Sequence, residues 1–302
     1  MLVESAKAFE DHLARYRSEL MVHCYRMLGT VDEAEDAVQD ALARAWMGRQ
    51  TFRQSISFRA WLYRIATNVC LNAIDTRKRV RGESGLVIGP YPDRLLMGVA
   101  TAEAGPEARY DSHESISLAF LTVLQLLPPR QRAVLLLRDV LAFHAAEVAD
   151  LLEMTVPAVN SAHQRARATL RGSYNAPAKS SKPSNLLERY VRAWEAADVA
   201  GLVALLREEA VLAMPPKPMV VGARQIGDFL ERSIFTLGPV RLVEAYSNAS
   251  PAFAMYLGGP PHRLALFALL VLATDGQHIT RMDAFADLRA ISRFDLPTEL
   301  AG

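Results

Sequence analysis

Apolar positions repeat at helical spacing along the first 81 residues. Thr30-Val31-Asp32-Glu33 has the form of a capping box, and Ala34, Val38, Leu42, Ala45 and Trp46 follow it on one face. A second helix is predicted from about Ser57, with Phe58, Trp61, Leu62, Ile65 and Val69 on an apolar stripe. Periodicity lapses over 82–116, a stretch punctuated by Gly82, Gly85, Gly89, Pro90, Pro92, Gly98, Gly105 and Pro106. It returns at Pro128-Pro129-Arg130, where proline in the first turn opens a helix whose apolar face continues through Ala133, Val134 and Leu137. A short helix is predicted from about Ala142 to Leu152, then the tripeptide Glu153-Met154-Thr155. Another helix follows, with Thr155 as N-cap, Pro157 in its first turn, and Val159, His163, Ala166 and Leu170 facing inward. That spacing is a helix-turn-helix.

Beyond a polar, turn-rich stretch at 172–184 the pattern changes period. Leu187, Tyr190, Val191 and Trp194 mark one helix, Leu202, Leu205 and Leu206 another, and Ile226, Phe229 and Leu230 a third. Strand-like runs follow at about 239–248, 252–258, 263–273 and 278–287, with a hairpin signal at Asp275-Gly276. The chain thus divides into a helical block at 5–81, a linker at 82–116, a helix-turn-helix block at 117–171, a second linker at 172–184 and an α+β domain at 185–297.

Composition excludes some classes. With 51% hydrophobic and 22% charged residues the chain has the balance of a globular protein. The acidic start MLVESAKAFEDH and the short longest apolar run, Leu264 to Ala273, predict neither a signal peptide nor a membrane span, so a cytoplasmic location is expected. Cys24 and Cys70 have no second thiol near them in sequence and read as reduced packing residues. Neither a disulfide framework nor a metal site or other cofactor is expected.

Net charge is +1, but its distribution is uneven: 53–81 hold seven basic residues against one acid, 32–40 hold five acids and no base. From Asn185 onward 11 basic residues meet 13 acidic ones, so polyanion binding is assigned to the first 172 residues. There Arg53, Arg59, Arg64, Asn68, Arg77, Lys78 and Arg79 are interleaved with Phe52, Phe58, Trp61 and Tyr63, the combination needed to hold phosphates and receive an unstacked base. Trp61 also lies on the apolar stripe, where packing is the better explanation. In the helix-turn-helix, Thr155, Ala158, Asn160, Ser161, Gln164 and Arg165 fall on the outer, groove-facing part of the second helix. Arg167 and Arg171 suit the backbone. His163 stands at an inward position and is expected to be partly buried and hydrogen-bonded.

DEAEDAVQDALARAW with FRAWLYRIATNVCLNAIDTRKR, and LPPRQRAVLLLRDVLAFHAAEVADLLEMTVPAVNSAHQRARATL, resemble regions 2 and 4 of extracytoplasmic-function sigma factors. The resemblance implies a mainly α N-terminal half, a region 2 bundle and a region 4 helix-turn-helix. It implies binding of core RNA polymerase through Glu33, Asp36, Gln39 and Asp40, although these positions are also what a solvated acidic face looks like. It further implies minus-ten promoter DNA on 52–81 and minus-thirty-five DNA on the second helix of 142–171. No catalytic residue is implied. Three positions depart from the family's usual pattern: Glu153 replaces a turn glycine, and Asn160 and Ala162 stand where many members carry cations. If 153 keeps a positive φ the cost is about 1 kcal/mol, and loss of two cations predicts weaker upstream binding.

The order WEAADVAGLVALLREEAVLAMPP, GARQIGDFL, HITRMDAF resembles the SnoaL-like cone, which implies a curled sheet and helices around an apolar cavity and a possible small apolar ligand. Asp228, Asp283, His262, Tyr246 and Tyr256 are the groups an isomerase or hydrolase would draw on, but they form no motif. A regulatory module is the expected role. The rival readings are a ligand-responsive helix-turn-helix regulator that ignores polymerase, for which 32–81 has no use, and a SnoaL-like enzyme fused to DNA-binding helices.

Overall fold

The computed structural model describes residues 6–52, 57–81, 88–96, 114–173, 185–215, 217–259 and 263–301. These fall into two units, Met1–Asn175 and Ala176–Gly302.

In the first unit α1 (Ala6–Leu28), α2 (Val31–Gly48) and α3 (Phe58–Arg81) pack together. The α1–α2 corner follows from two residues. Gly29 adopts φ 97 and returns its N–H to Tyr25 O at 2.8 Å, and Thr30 caps α2 by accepting from Glu33 N at 3.4 Å. Leu20, Met27, Val38, Leu62, Tyr63 and Ile74 are buried between the helices. Cys24 and Cys70 are buried with them, and burial pushes the Cys70 thiol up, with Cys24 beside it. Residues 88–96, inside the stretch read as a linker, lie against the end of α1. Tyr91 packs its ring 4.6 Å from Tyr25, whose hydroxyl donates to Gly89 O at 2.7 Å.

The rest of the unit comprises α4 (Leu118–Leu126), α5 (Pro129–Leu135) with a π-helical turn at Leu136–Val140, α6 (Ala145–Leu152) and α7 (Val156–Ser173). The helix expected from Ala142 begins three residues later. Ala142 takes a left-handed φ of 58 and Phe143 N bonds back to Leu137 O, so the chain turns before His144 N, bonded to the Glu147 carboxylate at 2.7 Å, opens α6.

The second unit begins with α8 (Leu186–Glu195) and α9 (Val199–Leu205), followed by β1 (Leu206–Met214), β2 (Lys217–Val221) and α10 (Ala223–Ser233). Then come β3 (Val240–Ser247), β4 (Ser250–Gly259), β5 (Arg263–Thr274), β6 (Ile279–Phe285), the one-turn α11 (Leu288–Ile291) and β7 (Glu299–Ala301). The sheet order is β2-β1-β6-β5-β4-β3 with β7 on β5, antiparallel except for β1 beside β6. Leu206, expected on the α9 face, is instead the first residue of β1. The Asp275-Gly276 turn forms as expected: Gly276 takes φ 96 and the Asp275 carboxylate accepts from Gln277 N and His278 N.

One face of this sheet, with Leu212, Leu242, Met255, Leu270 and Met282, packs against Leu186, Tyr190, Trp194, Leu202, Ile226 and Leu230 of the helices. Those apolar positions alternate along each strand, which is why register is fixed. Tyr190 donates to Met282 Sδ at 3.5 Å, and burial raises its hydroxyl pKa.

Candidate nucleic-acid interface

The region 2 candidates share α3 but divide by face. Lys78 and Arg79 are exposed near its end, Arg64 and Asn68 are half-buried, and Arg53 lies outside the described residues. Phe58 and Trp61 join Phe9 and Phe52 in an aromatic cluster, with Phe52–Trp61 centroids 5.1 Å apart and Phe9–Phe58 edge-on at 5.6 Å. Both rings stay half-buried, so each packs in the cluster and keeps part of its surface accessible. Tyr63 is buried and unavailable for stacking; burial raises its hydroxyl, which donates to Glu19. Arg59 leans over that ring at 5.0 Å and reaches Glu19 at 3.5 Å.

The structure brings two expected sites into contact with each other. Arg77 donates to Glu33 at 2.9 Å and to Leu28 O at 3.3 Å, so this cation and this acid tie α3 to α2 and to the end of α1. Asp40 forms an i,i+4 pair with Arg44 at 2.8 Å, whereas Asp36 and Gln39 are exposed on the outer face of α2. Of the four α2 candidates, these last two therefore stand most openly.

The helix-turn-helix is assembled as its pattern predicts. Thr155 Oγ1 accepts from Ala158 N at 3.3 Å, and Val159, Ala162, Ala166 and Leu170 are buried. Asn160, Ser161, Gln164 and Arg165 form the exposed face, Ala158 is half-buried, and Ala168 and Arg171 extend that face. The buried placement of Ala162 corrects one expectation: a cation there would point into the core, so its absence removes no phosphate contact. Asn160 alone carries that deficit.

His163 Nε2 lies 2.8 Å from the Asp139 carboxylate on the π-helical turn, whose other oxygen is 3.8 Å from Arg167 Nε. Arg167, expected on the DNA backbone, is thus drawn sideways and is 23% exposed. Asp139 is buried, and its pairing to both residues fixes the rotation of α7. Glu153 sits in the turn with φ 53 and ψ 49, the left-handed conformation expected for the glycine it replaces, and lets Met154 N reach Ala149 O at 2.9 Å.

Sequence reasoning missed the buried arginines that support this assembly. Arg132 on α5 is 4% exposed and donates to Met27 O, to Gln125 Oε1 at 2.5 Å and O at 3.0 Å, and to Leu127 O at 3.3 Å. Burial lowers its pKa to about 10. Arg26 on α1 donates to Ser115 O at 3.2 Å and to Ser115 Oγ at 2.5 Å, and burial likewise lowers it to about 10. These partners are carbonyls and a hydroxyl, for which charge patterning gives no signal.

Among the described residues, the expected groups of the α+β unit are brought into no catalytic constellation. Asp228 is exposed on α10, Tyr246 is exposed and donates to Glu244, and Tyr256 donates to Pro297 O at 2.8 Å. His262 lies outside the described residues. Asp283 alternates with Met282 and shares the sheet face of Val271 and Ala213, opposite the helix-covered one. It is gripped by Arg281 through Nε at 2.9 Å and Nη2 at 2.8 Å, and burial nonetheless raises its carboxyl above the ordinary range. Among the described residues no group of His, Cys, Asp or Glu is placed to hold a metal, and no helix is long and apolar enough to cross a membrane.

Comparison with known proteins agrees with this anatomy. The Sigma-70 region 2 family matches residues 13–80 and the Sigma-70, region 4 family matches 117–170. ECF RNA polymerase sigma factor SigG of Mycobacterium tuberculosis (strain ATCC 25618 / H37Rv) is 39% identical over 97% of this chain and 85% of its own length. ECF RNA polymerase sigma factor SigW of Bacillus subtilis (strain 168) is 33% identical over 54% of this chain and 87% of its own. In fold, the crystal structure of Mycobacterium tuberculosis extracytoplasmic function sigma factor SigJ superposes with a TM-score of 0.68 at 22% identity, covering 96% of this chain and all of that one. The α+β unit, three helices on one face of a curved mixed sheet, has the layout that the resemblance to the SnoaL-like cone implied. The whole-length similarity to SigG, with both sigma regions in order, establishes that this chain belongs to the family of extracytoplasmic-function RNA polymerase sigma factors.

Proposed function

We propose that this sigma factor engages core polymerase through the outer face of α2, centred on Asp36 and Gln39. On this reading it opens minus-ten DNA with Arg64, Asn68, Lys78, Arg79 and the accessible surface of Phe58 and Trp61, and reads minus-thirty-five DNA with the exposed face of α7. The observation that carries the reading is the pairing, in one chain, of a basic, aromatic-bearing α3 with an α7 whose outer face is polar and free of acids. The chain acts as a dissociable cytoplasmic specificity subunit, the chemistry belonging to the polymerase. The SnoaL-like unit regulates rather than catalyses, because its candidate acid is held by Arg281 on the face away from its helices. A small apolar ligand has less support. Tyr190, Trp194, Phe253 and Phe235 fill the space beneath the helices, and a ligand would enter by displacing them.

The test mixes core polymerase with the full-length chain and with a truncation ending near Gly172, and maps transcript starts. Start-site-specific transcription by the full-length chain is expected, with a different level from the truncation. Failure of both to direct initiation overturns the sigma reading, and equal activity overturns the regulatory one.

A further inference from the structure

We infer that Glu153 is a built-in phosphate substitute that latches the helix-turn-helix onto the DNA-binding face of α3 in the free protein. This rests on the proposed role of α3 and deepens it. Arg64 Nη2 lies 2.6 Å from Glu153 Oε1, a charge-assisted contact at the position where Arg64 would meet a DNA phosphate. Beside it, Phe143, the residue leading into α6, is 4% exposed because it is covered by α3. Its ring stands edge-on to Tyr63 at 5.6 Å and under the Arg59 guanidinium at 4.8 Å. Thus one segment, 143–153, occupies Arg59 and Arg64 together.

The turn itself points the same way. A left-handed residue after a helix favours glycine, which supplies the conformation without a Cβ penalty. Here a glutamate holds φ 53, and its carboxylate is spent on an arginine 89 residues away. A glycine at 153 would suit the backbone better and leave Arg64 unoccupied.

Geometry requires the latch to open. Elements named minus-ten and minus-thirty-five are about 25 base pairs apart, about 85 Å at 3.4 Å per step. A unit of about 170 residues has a radius of gyration of about 16 Å and spans about 40 Å. With 143–153 docked on α3, the two DNA-reading faces cannot reach both elements at once. Promoter binding and the Arg64–Glu153 contact are therefore mutually exclusive, and DNA phosphates compete with the carboxylate for the same guanidinium.

The experiment uses the full chain without polymerase and a fluorescein-labelled oligothymidylate of about 12 nucleotides, the size a single-strand groove accommodates. Binding is read by anisotropy at low salt for wild type, Glu153→Gln, Glu153→Gly, Arg64→Ala and the double variant Arg64→Ala/Glu153→Gly. The pair is partly exposed, so each Glu153 variant is expected to bind about two- to fivefold tighter than wild type. That gain should vanish in the Arg64→Ala background. Glycine fits the turn, so Glu153→Gly guards against misfolding as the cause of any change. Equal binding by wild type and both Glu153 variants, undetectable binding by all, or a gain that persists without Arg64 overturns the latch. A parallel transcription assay with core polymerase separates this from failure of the sigma reading. Initiation by wild type with unchanged oligothymidylate binding by the variants refutes the latch alone, and absence of initiation refutes the sigma role.

Discussion

Region 2 should lose stability as pH falls below neutrality because of one residue, His23. Its imidazole is 1% exposed between α1 and α3, bonded through Nε2 to Thr67 Oγ1 at 2.9 Å, with its ring 5.1 Å from that of Tyr63. Burial, reinforced by the positive charges of Arg26 and Arg59, lowers its pKa to about 3. In the unfolded chain the same ring titrates near 6.5. Between those values the unfolded state binds the extra proton, so stability is intact above about pH 6.5 and declines as pH falls toward 3. The slope approaches 1.36 kcal/mol per pH unit, which gives a loss of about 2 kcal/mol at about pH 5. His23→Gln keeps a group able to bond Thr67 and removes the titration. Hydrogen exchange of α1 and α3 amides, followed by mass spectrometry for both proteins at about pH 8 and pH 5, isolates this effect because intrinsic exchange cancels in the comparison. Wild type should lose about 2 kcal/mol of protection more than His23→Gln between the two conditions. An equal loss in the two proteins would refute the argument that His23 is neutral because it is desolvated.

Three further outcomes follow from the same geometry. Asn160→Lys should add a phosphate contact on exposed α7, steepening the salt dependence of upstream-duplex binding by the polymerase complex by about 0.9 in log–log slope; an unchanged slope would mean that this face does not meet the backbone. Ala162→Arg, in contrast, places a charge at a site 3% exposed and should destabilise the helix-turn-helix in urea melts without improving binding. Arg281→Met strands the buried Asp283 carboxylate and should cost the α+β unit about 3–5 kcal/mol, whereas Arg281→Met/Asp283→Leu should recover most of it, both read by urea unfolding.

What was legible in the sequence was local. The α2 cap at Thr30, the Thr155 cap, the inward set of α7 and the Asp275-Gly276 turn each depend on residues a few positions apart, and each forms as read. β1 was missed because Leu206 continues the helical spacing of Leu202 and Leu205, and its strand state is decided by parallel pairing with β6 some seventy residues away. β2 carries Pro218 and β7 is three residues long, so neither offers an alternating run; both sit where the sheet has a free side to pair. The assignment of Arg77 to DNA and Glu33 to polymerase failed to anticipate that helix packing sets these opposite charges against each other.

The same distinction between local and tertiary signals changes how the two DNA-reading segments compare. From sequence, region 4 looked short of two cations. In the structure one of those positions is internal, so the deficit is Asn160, joined by an Arg167 turned toward Asp139. Region 2 looked fully equipped, yet Arg77 is spent on Glu33, Tyr63 is buried, Arg59 lies against Phe143 and the partly exposed Arg64 is paired with Glu153. The cations on described parts of α3 that stand fully exposed are Lys78 and Arg79, at its far end. On the proposed latch, region 2 holds its advantage only once region 4 has moved away. Upstream recognition and promoter opening are then coupled by the same contacts: whatever draws α6 and α7 onto minus-thirty-five DNA also frees the arginines that α3 needs. A sigma factor latched in this way need not carry a strongly cationic α7, because on that proposal part of what the helix contributes to opening is its departure.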